Sequence, residues 1–153
     1  MKKNIIFVTG FIGSDRAGLA RQMADESGMK FVDLDQAIEA KDGRSVRRIA
    51  MTMGEHEVRN KEYEAVKDLL KQEGLVVVCS DGIILDDECL SLLVQGRVVI
   101  ADETLTPEAL WEQAKADPNP AYAFLSGDDE AEQYQRYLAL YHVRMPIYRR
   151  ISI

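Results

Sequence analysis

The residues of this chain that could do chemistry begin where an apolar, β-branched run from Ile5 to Thr9 meets Gly10, with a segment of helical character following from Arg16. A buried parallel strand that passes through a glycine-bearing turn into a helix is the setting of a phosphate-binding loop, G-x-x-x-x-G-K-[ST]. In such a loop the glycine lets backbone N–H groups close on the anion, the lysine neutralises it and the hydroxyl ligates magnesium. Here Gly10 fits the first glycine, but Asp15 stands for the second, Arg16 for the lysine and Ala17 for the hydroxyl residue. Only the positive charge survives, as a guanidinium. A tight strand-to-helix turn with no phosphate is the competing reading of the same residues.

Two carboxylates, Asp33 and Asp35, leave a second short apolar run at Phe31-Val32. Acidic groups at the carboxyl end of a parallel strand lie where α/β folds place their ligands, so metal or substrate contact competes there with N-capping of the next helix by Asp35. The most continuous apolar run, Leu75 to Ser80, reads as a central strand and ends in Ser80-Asp81-Gly82. Arg59, taken alone, is a solvated residue on a helix. Cys79 and Cys89 have neither metal nor disulfide spacing and read as core thiols.

The elements that must position these groups alternate. Helices are expected over Arg16 to Ser27, with Leu19, Met23 and Ala24 on one face, over Asp35 to Lys41, over Ser45 to Met53, and over Glu55 to Lys71 with the apolar stripe Val58, Ala65, Leu69 and Leu70. A short helix follows from Asp87 to Val94, a strand from Arg97 to Ala101, and a helix that Thr106-Pro107-Glu108 opens and Ala116 closes. The stretch 117–130, with two prolines, a glycine and several acids, has loop or lid composition. A last helix runs from about Glu130 to Val143. Strands alternating with helices imply βαβ units, a parallel sheet and right-handed crossovers, hence an α/β, three-layer αβα domain over residues 1–153.

Composition narrows the partners. With 153 residues, 46% of them hydrophobic, the chain has material for one sizeable core. Its formal charge of −7, from 19 basic against 26 acidic residues, argues against nucleic acid and anionic membrane as partners. No apolar stretch reaches spanning length and no small-residue cleavage site follows Met1-Lys2-Lys3, so a cytoplasmic location is expected.

Gly10-Phe11-Ile12-Gly13, then Phe31-Val32-Asp33-Leu34-Asp35 with Ile38-Glu39, then Gly43-Arg44-Ser45-Val46, Gly54-Glu55, Val58-Arg59 with Glu62, and finally Arg144-Met145-Pro146-Ile147-Tyr148 follow one another along the chain. In this order and spacing they resemble the shikimate kinase family, small P-loop kinases of the nucleoside-monophosphate-kinase type. They match that family's loop opening and its FxDxD…IE, GxSI, GE, FR…E and RxPLY stretches. The resemblance implies substrate contacts from Asp35, Arg59, Gly82 and Arg144, two arginines gripping a carboxylate while a carboxylate accepts from vicinal hydroxyls. It implies a nucleotide loop at Gly10, Gly13, Ser14, Asp15, Arg16 and Ala17, with Arg16 and Asp33 as the catalytic groups and Asp33 holding magnesium through water where Mg-ATP binds.

The nucleotide half departs from the pattern. Ser80-Asp81-Gly82 replaces the family's triple glycine, Tyr122-Ala123-Phe124-Leu125 replaces the lid's arginine-bearing RPLL, and no basic residue lies between Lys115 and Arg136. The chain stops at Ile153, about where the family continues into a last strand, an adenine-side loop and a terminal helix. The expected function is therefore a retained pocket for shikimate or a similar small hydroxy-acid beside a degenerate ATP site in which Arg16 pairs with Asp15, Asp33 or Asp81. Two alternatives stand beside it: an active shikimate kinase with an atypical loop, and a non-catalytic interaction or regulatory module. Arg97 to Ala101 or the closing Ile151-Ser152-Ile153 is expected to form a sheet edge that a second copy or a pathway enzyme could cover.

Overall fold

The computed structural model describes residues 2–116 and 129–151. Its centre is a parallel sheet of four strands, β1 (Ile5–Thr9), β2 (Lys30–Asp33), β3 (Leu75–Val78) and β4 (Arg97–Ile100), in the order β2-β3-β1-β4. Register is set by Ile5 opposite Leu75, Ile6 opposite Arg97, and Lys30 opposite Leu75. Strand side chains alternate between faces. Ile5, Phe7, Leu75, Val77 and Ile100 enter the larger core, while Val8, Val76, Val78 and Ala101 enter the smaller one.

The smaller core is closed by α1 (Arg16–Ser27), whose Leu19, Ala20, Met23 and Ala24 face the sheet as the helical period requires. On the other face lie α4 (Glu55–Leu69), α5 (Asp87–Leu93), α6 (Pro107–Ala116) and α7 (Glu130–Ile151), with α2 (Leu34–Asp42) and α3 (Val46–Met53) packed around α4. The start of α3 has a local cause. Ser45 caps α3 by accepting from the Arg48 amide, and the Glu39 carboxylate accepts from the Val46 amide at 3.1 Å, so the Ile38-Glu39 and Gly43-to-Val46 stretches work as one corner.

Several boundaries differ from the sequence reading. The N-cap of α2 is Asp33, whose Oδ1 accepts from the Asp35 and Gln36 amides, so Asp35 is the first-turn residue and not the cap. On α4 the most buried positions are Val58, Glu62 and Val66, an i, i+4 ridge that carries a carboxylate into the core; Ala65, Leu69 and Leu70 lie beside it. Strand β3 stops at Val78, yet the Cys79 amide still bonds the Val8 carbonyl at 2.8 Å. Helix α7 does not end near Val143 but continues through Pro146 to Ile151. Proline removes one N–H from the ladder there and crowds the carbonyl four residues back, and burial of Tyr141, Met145 and Tyr148 on one stripe holds the helix together across it.

Strand β4 is a sheet edge, as expected, and β2 is the other; Ile151 closes a helix. The 117–130 segment expected as a lid lies outside the described residues up to 128, and Glu130 already belongs to α7. Cys79 and Cys89 are buried thiols. Among the described residues no helix is long and apolar enough to cross a membrane.

Candidate functional site

The carboxyl ends of β1, β2 and β3 bring most of the chemical groups together. Arg59, one turn into α4, is held on three sides. Its Nη1 donates to Glu62 Oε1 and, at 3.2 Å, to Ser80 Oγ, while Nη2 donates to Glu55 Oε1 at 2.8 Å. Glu62 is fully buried, and Ser80 Oγ donates to its other oxygen at 2.5 Å. Burial works against the Arg59 charge, but Glu62 and Glu55 more than offset it and raise its pKa. Gly82 lies under the guanidinium: a Cβ there would collide with Arg59 Nη2.

Arg144 arrives from α7, and its Nη1 donates to Asp81 Oδ2 at 2.7 Å. The other oxygen of Asp81 lies 3.8 Å from Arg16 Nη1, an ion pair without a hydrogen bond, and Arg16 also reaches the Cys79 carbonyl at 3.4 Å. Arg16 is thus tied to Asp81, one of its expected partners, but Asp81 belongs foremost to Arg144. Tyr148 fastens this corner: its single hydroxyl proton is donated to the Asp81 carbonyl, with the Gly10 carbonyl also within reach at 3.3 Å.

Asp35 faces the same cluster. Burial, followed by the neighbouring Asp33, pushes its carboxyl up to about 6, with Arg16 pulling the other way and Glu39 and Asp81 adding to the rise. Its Oδ1 is buried and accepts no hydrogen bond among the described residues. Asp33, by contrast, spends Oδ1 on two backbone amides. No group of three or more His, Cys, Asp or Glu side chains is arranged as a metal site among the described residues.

The loop from Gly10 to Ala17 is braced from within. Ser14 Oγ donates to the Phe11 carbonyl at 2.7 Å and crowds Gly10, where a Cβ would meet it at 2.5 Å. Gly13 has φ +99°, and a Cβ there would strike the Leu110 carbonyl. Asp15 caps α1 by accepting from the Gly18 amide at 3.1 Å, and its own amide donates to Asp102 Oδ2 at 2.8 Å. Gln113 Nε2 donates to that same oxygen at 3.2 Å and to the Gly13 carbonyl at 2.7 Å. Tyr137 donates to the Ile12 carbonyl at 2.5 Å. Ala17 offers no hydroxyl. A cavity of about 370 Å³ opens beside the loop, lined by Ile12 to Arg16, Gln113, Ala114 and Ala116.

Comparison with known proteins agrees with this fold. The family model described as Shikimate kinase matches residues 13–153. The chain belongs to the shikimate kinase family. It is 31% identical over 148 residues to the shikimate kinase of Dehalococcoides mccartyi, covering 96% of this chain and 80% of that protein. It is 32% identical over 115 residues to the bifunctional shikimate kinase/3-dehydroquinate synthase of Thermotoga maritima, spanning 75% of this chain but only 23% of that longer protein. The fold matches shikimate kinase from Acinetobacter baumannii in complex with shikimate, at TM-score 0.82 and 24% identity, with 98% of this chain and 80% of that one covered.

The sequence missed the acids that hold the arginines and the loop. Glu55, Tyr148 and Asp102 had no assigned role, although Glu55 and Glu62 stand four and three residues from Arg59, the helical spacing at which opposite charges meet. For Asp102 there was no signal, because its contact with Asp15 spans 87 residues of chain.

Proposed function

We propose that this shikimate kinase family member binds shikimate or a similar small hydroxy-acid in the Asp35–Arg59–Gly82–Arg144 pocket and that its phosphoryl-transfer step is weak or absent. The observation that carries the pocket is Asp35 Oδ1, a buried acceptor with no hydrogen-bond donor among the described residues. Leaving such an atom unmatched costs stability, and a ligand hydroxyl is the group that would match it. Arg59 and Arg144 supply the charge for a carboxylate.

Shikimate kinases use Mg-ATP, and this loop suits it poorly. The Asp15 amide, one of the donors that would cradle a phosphate, is taken by the Asp102 carboxylate. The Asp15 and Asp81 carboxylates add negative charge beside the phosphates, and Ala17 cannot ligate magnesium. Each lost or misdirected donor of this kind typically lowers a phosphoryl-transfer rate by ~10²–10³, since that chemistry is mostly positioning and charge stabilisation. The contacts of Arg16 are long, 3.4 and 3.8 Å, which favours the second reading to this extent: the side chain can turn toward a phosphate at little cost.

Calorimetric titration with shikimate, together with thermal unfolding in millimolar Mg-ATP, separates the readings. Shikimate heat lost in Arg59→Ala, with no shift from Mg-ATP, is the expected result. A clear Mg-ATP shift supports the active kinase, and no shikimate heat at all supports an interaction module.

A further inference from the structure

Resting on the pocket reading above, we infer that the Asp81 carboxylate is an internal stand-in for the ligand's carboxylate, occupying Arg144 in the empty pocket and thereby setting both affinity and the ligand charge the site accepts. Both arginines that would grip a ligand carboxylate are already matched. Arg59 has Glu62 and Glu55, and Arg144 has Asp81 at 2.7 Å. The two cases differ in what a ligand can change. Glu62 is fully buried, bonded by Ser80 and fixed on the core-facing ridge of α4, so its pair with Arg59 is part of the frame. Asp81 sits after β3 with its side chain 23% exposed, and among the described residues its carboxylate is held by Arg144 and the more distant Arg16.

Charge pairing points the same way. Among the described residues Arg16, Arg59 and Arg144 are already paired with Asp81, Glu55 and Glu62, so an incoming carboxylate must compete with an acid that is in place. To reach Arg144 it must push Asp81 off a partly buried partner, and Asp81 then keeps only Arg16 at 3.8 Å. A ligand with the same hydroxyls and no charge leaves the Asp81–Arg144 pair in place and still satisfies Asp35. Asp81 therefore discriminates against the charged ligand and not against the polyol, a selectivity made by a competing internal group. The backbone at Asp81 does not contribute to this choice, since its carbonyl is engaged separately by Tyr148.

The test is calorimetry of wild type, Asp81→Gly and Asp81→Asn with two probes, shikimate and its methyl ester. Asp81→Asn keeps side-chain size and guards against loss of fold in the glycine variant. Both variants should bind shikimate at least tenfold more tightly than wild type, with affinity for the ester changed less than twofold. If shikimate affinity is unchanged or weaker in both variants while the ester or the acid still binds, the stand-in role is wrong and the pocket survives. If neither probe binds wild type or either variant, the pocket reading has failed and the role of Asp81 fails with it. Equal gains for acid and ester also overturn it, because they would mean that Asp81 obstructs the site by bulk.

Discussion

Asp35 has its ordinary carboxylate value of 3.8 in the unfolded chain and is pushed up to about 6 by burial and by Asp33 in the folded one. Between those two values the folded state holds the proton more tightly, so stability falls as pH rises from about 4 to about 6 and the full cost is present above that. Asp35→Asn removes it. Allowing for partial solvent access, the variant should exceed wild type by on the order of 1–2 kcal/mol at pH 8 in urea unfolding, a gain that vanishes by pH 4, while shikimate binding is lost. A gain of equal size at both pH values would assign the effect to packing. Arg59 carries the opposite expectation. Arg59→Ala leaves Glu62 buried without its partner, which typically costs ~3–5 kcal/mol, and adding Glu62→Gln to it should recover much of that loss. An Arg59→Ala chain as stable as wild type would contradict the geometry of this pair. The motifs put Arg59, Asp35 and Arg144 forward as candidates. That Asp81 sits on Arg144 was not legible there, because which acid an arginine chooses depends on distances between elements far apart in the chain.

At the scale of elements, the strands and helices follow from period and punctuation. Apolar, β-branched runs give β1 and β3, Asp-Gly at 42–43 ends α2, and Thr-Pro-Glu opens α6. Helix α7 ran past its expected end because proline biases local conformation, while Tyr141, Met145 and Tyr148 bury one stripe through it. The consequence is functional: α7 delivers Tyr137 to the Ile12 carbonyl and Tyr148 to those of Gly10 and Asp81, so a single helix fixes both the loop and the Asp81 corner. Tyr148→Phe removes the hydroxyl and should cost ~1–2 kcal/mol in chemical denaturation, together with faster hydrogen exchange of the loop amides. Unchanged exchange at Gly10 to Asp15 would show that the Tyr148 hydroxyl does not brace the loop.

For the whole molecule, the parallel sheet in the order β2-β3-β1-β4 places three strand ends at one site, which is how the β2 acids, the α4 arginine and the segment after β3 become neighbours. Family membership and fold were readable from the order of short motifs. The internal saturation of the loop by Asp102, Gln113 and Ser14 was not, since hydrogen-bond choice within a loop has no periodic signature. These contacts and the acids around the arginines motivate the central proposal, a binding pocket kept beside a nucleotide loop whose donors and charges suit Mg-ATP poorly. The most direct measurement is a coupled ADP-release assay run on a calorimetrically titrated sample, with millimolar shikimate and Mg-ATP supplied together and singly. The account predicts heat with shikimate that disappears in Arg59→Ala, none with Mg-ATP, and no ADP release. Mg-ATP heat accompanied by shikimate-dependent ADP release would contradict it and make Arg16 a working substitute for the loop lysine.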